Sequence, residues 1–446
     1  MALAGCNVGS DYQKPDAPAP DAWRASPEAA IWPSADWWRG FGSPGLDDFM
    51  SQARTANFDL AAAMARVREA DAQVKIAGAA LLPSIGANAD VAHQRTQAST
   101  GSLKTFTSYS PGLTASYEID FWGKNRAAET AAEAAATASR FDQATIELTV
   151  MSSVATTYFQ SIELRDRLAV ADDNLASAEI ILKGLQLQEN VGTATALDVA
   201  QQETTVSTLN AAIPPLQQQF RQSVDALAIL LGRTPESIDV TTGTLADMTV
   251  PDVAPGMPSE LLARRPDVAE AEAQLVAANA NITVARAAFF PSIELTASGG
   301  FESTILSSLI NPASGIFSFG AGLTQPIFEG GALEGQYANT QARYDELVAD
   351  YRKAVISAFG NVEDALVAVQ QTVEQVKRQE NATATARRAY EIAQSQMSAG
   401  TINILTVLNT EGALFTAEDA LAQVQFAHLQ ALVNLYNALG GGWQQT

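Results

Sequence analysis

Residues 81–91 read LLPSIGANADV, and residues 289–299 read FFPSIELTASG, with the two Pro-Ser-Ile cores 208 positions apart. In each, proline ends what precedes it, because it has no amide hydrogen to continue a helix. Behind the first proline, Ile85, Ala87, Ala89 and Val91 alternate with Asn88 and Asp90. Behind the second, Ile293, Leu295, Ala297 and Phe301 oppose Glu294, Thr296 and Ser298. Strict alternation places successive side chains on opposite faces of a strand, one apolar and one polar.

The offset persists beyond these strands. Gly192-Thr193 with Leu197 and Val199 returns as Gly400-Thr401 with Leu405 and Val407, and Leu231-Gly232 returns as Leu439-Gly440, each shifted by 208. A constant shift over some 150 residues means two copies of one large unit, assigned to residues 46–238 and 259–442. The Pro/Gly/Thr-rich stretch 239–258 reads as the linker between them and 443–446 as a tail.

Each copy holds a second strand. Leu113, Ala115, Tyr117, Ile119 and Phe121 alternate with Thr114, Ser116, Glu118 and Asp120. In the second copy Phe317, Phe319, Ala321, Leu323 and Ile327 alternate with Ser318, Gly320 and Thr324. Four strands of about ten residues are therefore expected, the length that crosses a bilayer when tilted. An amphipathic hairpin on a soluble core would show the same alternation. If the strands do span a membrane, however, they must close into a barrel, and four are too few; several chains would have to share one.

The remainder is helical. No proline interrupts 124–188 or 332–399, and helices of that length reach on the order of 100 Å. Val348, Tyr351, Val355, Phe359, Val362, Leu366, Val369, Val373 and Val376 step by three or four, the spacing of a coiled-coil seam. Gly232 and Gly440 stand where a glycine cap closes a helix.

Composition narrows the function. The 446 residues are 47% hydrophobic and 17% charged, and 27 basic against 49 acidic residues give a net charge of −22, which argues against a nucleic-acid partner. One cysteine and two histidines leave no disulfide framework and little for a Cys/His metal site, so neither metal nor cofactor is expected. No apolar run of 18 residues occurs, so no transmembrane helix is expected. His93 and His428 are too few and too separated to suggest a catalytic base, Gly440-Gly441-Gly442 follows a helix instead of opening one, and acidic pairs such as Asp47-Asp48 read as solvated helix faces; the chain is not expected to be an enzyme.

The lone cysteine, Cys6, follows Leu3-Ala4-Gly5, which resembles the lipobox of bacterial lipoproteins. Residues 1–5 then read as the remnant of a signal peptide, Cys6 as the acylated residue, and the proline-rich stretch 6–45 as a lipidated tether.

Leu3-Ala4-Gly5-Cys6 with Val8, Gly9 and Tyr12, the stretch Trp37 to Gly42 (WWRGFG), Arg264 to Val268 (RRPDV), Gly400 to Asn409 and the ending NLYNALGGGW at 434–443 together resemble the outer-membrane efflux proteins, the TolC family, and within it the acylated lipoproteins of tripartite exporters. The resemblance covers nearly the whole chain. It implies an α+β membrane protein: a homotrimer whose chains lend four strands each to one 12-stranded outer-membrane barrel, continued by a long α-helical coiled-coil tunnel through the periplasm. It implies passive conduction of drugs or other small toxic compounds, with energy from an inner-membrane pump of the resistance-nodulation-division class coupled through a periplasmic adaptor. Gly192, Thr193, Gly400 and Thr401 would form the adaptor-contact tips. Leu405, Thr406 and Asn409, with Asp198 as the first-copy counterpart of Thr406, would form the periplasmic gate. Members often carry aspartates where Thr406 and Asn409 stand, so an apolar constriction is expected here in place of a second carboxylate ring. Two other readings are a type I protein-secretion channel and a lipid-anchored coiled-coil scaffold with no pore.

Overall fold

The computed structural model describes residues 8–24, 31–97, 101–241, 243–253 and 255–444; residues 1–5 and Cys6 lie outside the described residues. Among the described residues the elements run α1 Pro44–Ala56, α2 Phe58–Gly78, β1 Ser84–Gln97, β2 Leu103–Ile119, α3 Lys124–Asn190, α4 Ala196–Leu230, a short α5 Pro258–Leu261, α6 Pro266–Ala287, β3 Ser292–Phe301, β4 Gly315–Thr324, α7 Ala332–Ser398 and α8 Ile404–Ala438. Helices α3 and α7 are both 67 residues long and α4 and α8 both 35, and each pair starts 208 residues apart. Two copies of helix, strand, strand, long helix and helix are thus visible in the elements.

The chain divides into two compact units, each drawn from both copies. One holds the described residues of Met1–Asp16, Ala65–Arg140 and Glu270–Lys353; the other holds those of Ala17–Met64, Phe141–Ala269 and Ala354–Thr446.

In the first unit the four strands form one antiparallel sheet in the order β1-β2-β3-β4. Register puts Ile85 opposite Ala115, Ala115 opposite Ala297 and Ala297 opposite Phe319; one step along, Tyr117 faces Leu295 and Leu295 faces Ala321. Every strand therefore turns its apolar parity to the same face. The other face carries Ser84 and Ser116, Thr114 and Ser298, Asn88 and Gly112, and Glu118 opposite Glu294. Serine hydroxyls bridge neighbouring strands on it, Ser84 to Ser116 and Ser298 to Ser318, both at 2.8 Å. Glycine has a steric role in the sheet at Gly300, where a Cβ would strike the Pro111 carbonyl and Gly112 of the adjacent strand.

Strands β1 and β2 exceed the expected ten residues, at 14 and 17. Their additional pairs, from Ala92↔Ser108 to Gln97↔Leu103, continue the hairpin through a largely polar stretch that the apolar alternation does not mark. β2 ends at Ile119, so Phe121, expected in the strand, lies in the turn before α3. There it meets Trp122 edge-on at 4.8 Å; Trp122 packs on Phe290 at 4.7 Å and donates its indole N–H to the Pro291 carbonyl. The described tether residues of this unit are held in place: Lys14 pairs with Glu272 at 2.6 Å, and Asn279 donates to the Ser10 carbonyl.

In the second unit the core lies where α1 and the Trp37–Phe41 turn meet the middle of α3 and the ends of α4 and α8. Trp37 stacks on Tyr436 at 5.0 Å, Phe41 packs on Phe159 at 5.0 Å, and Leu46, Met50, Val154, Leu227 and Leu231 fill the space between. Gly232 and Gly440 end α4 and α8 at φ 65° and 83°. A Cβ on the first would strike the Ala56 carbonyl and one on the second the Arg264 carbonyl, the same contact 208 residues on. Arg167 of α3 ties the second copy to the first, bonded to Asp419 at 2.6 Å and to the buried Glu163 at 3.1 Å. Helix α4 runs through Pro214-Pro215, which α8 replaces with Ala422-Gln423. The expected α7 seam is buried at Tyr351, Val355, Phe359 and Val362, but Val373 is 47% exposed, so the chain alone does not seal the stripe.

Candidate functional site

Two features of the fold bear on function. The first is the apolar face of the sheet. Ile85, Val91, Leu113, Phe317, Phe319 and Leu323 all stand exposed, Phe317 and Phe319 at 80%. Water does not tolerate a contiguous apolar face of this kind without a partner. Strands β1 and β4 each pair on one side only, leaving two open edges whose backbone groups need partners in any apolar medium. No helix among the described residues is long and apolar enough to cross a membrane.

The second is the pair of helix reversals. Between α3 and α4, Gly192 adopts φ 79°; between α7 and α8, Gly400 adopts φ 70°. At both positions a Cβ would meet open space, so the left-handed backbone alone accounts for glycine. The following threonines close the reversal in the same way. Thr193 donates its amide (2.8 Å) and hydroxyl (3.1 Å) to the Gln188 carbonyl, and Thr401 donates its amide (3.0 Å) and hydroxyl (2.9 Å) to the Gln396 carbonyl. Leu185, Val199, Ala393, Ile404 and Val407 then bring the ends of all four helices into one apolar cluster.

The expected gate residues divide by role. Leu405, Thr406 and Asn409 lie on the exposed side of α8, opposite the buried Ile404 and Val407, with Leu405 48% exposed. Leu405 and Asn409, four apart, share one stripe. Thr406 is also a capping residue: its amide and hydroxyl both donate to Asn403 Oδ1, at 3.2 and 3.0 Å. Asp198 does the equivalent work on α4, where its carboxylate accepts from the amide and hydroxyl of Thr195 at 2.9 and 2.7 Å, and its own amide returns to the Thr195 hydroxyl. Those bonds hold the Asp198 carboxyl below the usual aspartate range. The motif Thr-x-x-Asp is a capping box and was available in the sequence. Among the described residues no hydrogen bond joins Asp198 to Thr406 or Asn409, and no group of three or more His, Cys, Asp or Glu side chains stands placed to hold a metal ion.

Sequence reasoning passed over one residue here. Glu411, two positions beyond Asn409, is wholly buried, and neither carboxyl oxygen has a hydrogen-bond partner. Burial pushes its carboxyl up to about 7.

The family model for outer membrane efflux protein matches residues 49–233 and again 257–441, the same 208-residue shift. The chain is 39% identical to the pyoverdine export outer membrane protein OpmQ of Pseudomonas putida, over all of this chain and 96% of that one. It is 31% identical to the cation efflux system protein CusC of Escherichia coli, over all of this chain and 97% of the other. Among solved structures it superposes on the CmeC outer membrane channel of Campylobacter jejuni with a TM-score of 0.92 at 26% identity, covering 99% of this chain and 96% of that one. The open-state MtrE outer membrane channel of Neisseria gonorrhoeae gives 0.91 at 28% identity over 99% and 100%. A doubled family match that coincides with the doubled fold, together with relatives aligned over the whole chain, places this chain in the outer membrane efflux protein family.

Proposed function

We propose that the chain is the exit duct of a tripartite efflux pump in the outer membrane of a Gram-negative bacterium. The observation that carries this reading is the register: four strands present one common apolar face, exposed Phe317 and Phe319 included, with both sheet edges open. Three copies, each lending four strands, would close a 12-stranded barrel, burying the open edges against one another and turning the apolar face to lipid. The seryl and acidic face then lines water. The long helices continue the conduit, and Leu405, Thr406 and Asn409 of α8, with Asp198 of α4, narrow its periplasmic end. Gly192-Thr193 and Gly400-Thr401 are the points offered to a periplasmic adaptor, behind which stands an inner-membrane pump of the resistance-nodulation-division class. Cys6 carries the lipid anchor. Transport is passive, and no cofactor takes part.

For the cargo, small organic molecules are favoured. Identity is 39–40% to relatives named for pyoverdine export and 31% to one named for cation efflux, and no clustered metal-ligand set occurs among the described residues. The test is planar-bilayer recording of the detergent-extracted protein. Discrete, cation-preferring currents are expected from the acidic conduit; a preparation that never conducts would overturn the reading.

A further inference from the structure

The buried row of α8 nearest the reversal is apolar except at one position. On α8 the buried row runs Ile404, Val407, Glu411 and Leu414. Below Glu411 the seam is closed by Ile404 and Val407 against Ala393 of α7. Above it, Thr383 and Gln379 of α7 both donate to the Ala417 carbonyl at 3.0 Å, and Arg387 pairs with Glu418 at 2.5 Å. Glu411 thus sits inside a sealed seam with 0% exposure and both oxygens orphaned. A carboxylate cannot remain ionised there without water or a cation, whereas a protonated carboxyl can.

The other helix pair also buries a polar side chain near its reversal, but at a different position: at the 208-residue shift Glu411 corresponds to the exposed Glu203, and Gln202 to Thr410. On α4, Gln202 is equally buried, one turn from Val199, and its side-chain amide donates to the Ala178 carbonyl of α3 at 2.8 Å. The buried polar side chain near the first reversal is thus an uncharged amide, and the one near the second is an ionisable acid.

We propose that Glu411 is a proton-operated latch on the α7–α8 seam: protonated, it allows the two helices to close beside Leu405 and Asn409, and ionised, it drives them toward a conformation that admits water. The facing titratable group is Tyr390 of α7, whose phenol is pushed up by burial and by the nearby Glu411 carboxyl. Tyr390 supplies no positive charge at neutral pH. Arg387, one turn along α7, is committed to Glu418. From α3 and α4 the cluster contributes Leu185 and Val199, with Gln202 neutral beyond them. Among the described residues no cation is set against Glu411, so its ionisation finds no compensation without opening the seam. The sign follows: a carboxyl whose closed-state affinity for protons exceeds that of the open state favours closure at low pH and loses that preference as pH rises toward and past neutrality.

The link between this seam and conduction rests on the gate reading given above, so the test has two arms. Hydrogen exchange of the full chain in detergent, with rates normalised to the intrinsic amide rate, is followed across pH 5.5–8.5. Protection in 385–415 is expected to fall by about tenfold or more over that range, while peptides from α1 stay constant. Glu411→Gln, which keeps the side chain neutral at every pH, should stay protected throughout. A wild type whose protection in 385–415 does not respond to pH overturns the latch even if the variant fails to assemble; so does a variant that reproduces the wild-type pH profile. Single-channel recordings at the same pH values separate the two readings. pH-dependent exchange without currents at any pH keeps the latch and removes the channel; currents with pH-independent exchange do the reverse.

Discussion

Phe319 and Ser318 are neighbours on β4 that face opposite sides of the sheet. Phe319 sits near the middle of the ten-residue strand, 80% exposed and opposite Ala297; Ser318 faces Ser298 and shares a 2.8 Å hydrogen bond with it. If the apolar face meets lipid, Phe319→Arg brings a guanidinium to the hydrocarbon midplane. There it costs about 2–4 kcal/mol per chain, or about 6–12 kcal/mol in an assembly of three. Ser318→Arg places the same charge on the water-lined face and forfeits one exposed hydrogen bond, about 1 kcal/mol. Were the sheet an ordinary soluble hairpin, the ranking would reverse, since replacing an exposed phenylalanine at a solvated position changes stability by about ±0.5 kcal/mol. The assay is the yield and thermal midpoint of the assembled band in outer-membrane extracts for both variants. Severe loss for Phe319→Arg with near-normal behaviour for Ser318→Arg is the expected result. Wild-type assembly of Phe319→Arg would refute the placement of that face in lipid.

Other consequences can be measured in the same preparation. Gly440→Ala should lower the thermal midpoint more than Gly400→Ala: both bear the left-handed backbone cost of about 1–2 kcal/mol, but only the first drives a methyl into the Arg264 carbonyl. Phe41→Ala, which empties the space between Trp37, Phe159 and Tyr436, should cost about 3–5 kcal/mol, read by calorimetry. Arg167→Ala leaves the buried Glu163 without its cation and should cost about 3 kcal/mol. Because burial already raises the Glu163 carboxyl, that loss should be larger at pH 8 than at pH 5, where protonation relieves it; an equal loss at both would show that Glu163 is not stranded. Asn409→Asp should increase block by divalent cations in single-channel recordings, and an unchanged block would remove Asn409 from the constriction.

Much of this architecture was readable because its signals are periodic. The parity at Leu113–Ile119 names the face on which those residues stand, and the proline-free runs mark α3 and α7. The far ends of β1 and β2 were not readable, since residues such as His93, Gln94 and Arg95 carry no apolar alternation and are ordered by the ladder itself. Proline ordinarily interrupts a helix, yet α4 runs through Pro214-Pro215, with Ile213 and Leu216 buried on either side of the pair. At the reversals the sequence marked the glycines, but Asp198 carries a second duty as the partner of Thr195, which a charge-ring argument overlooks. Glu411 was hidden for the opposite reason: an acid at a seam position looks like any other helix glutamate until burial is known.

The most direct test of the central claim is the mass of the Cys6→Ser protein extracted from membranes, where lipid anchoring can no longer account for membrane residence. The account predicts a species of three chains that requires detergent to stay in solution, because its sheets are joined edge to edge with the Phe317 and Phe319 face outward. A single chain, soluble without detergent once the cysteine is replaced, would contradict it.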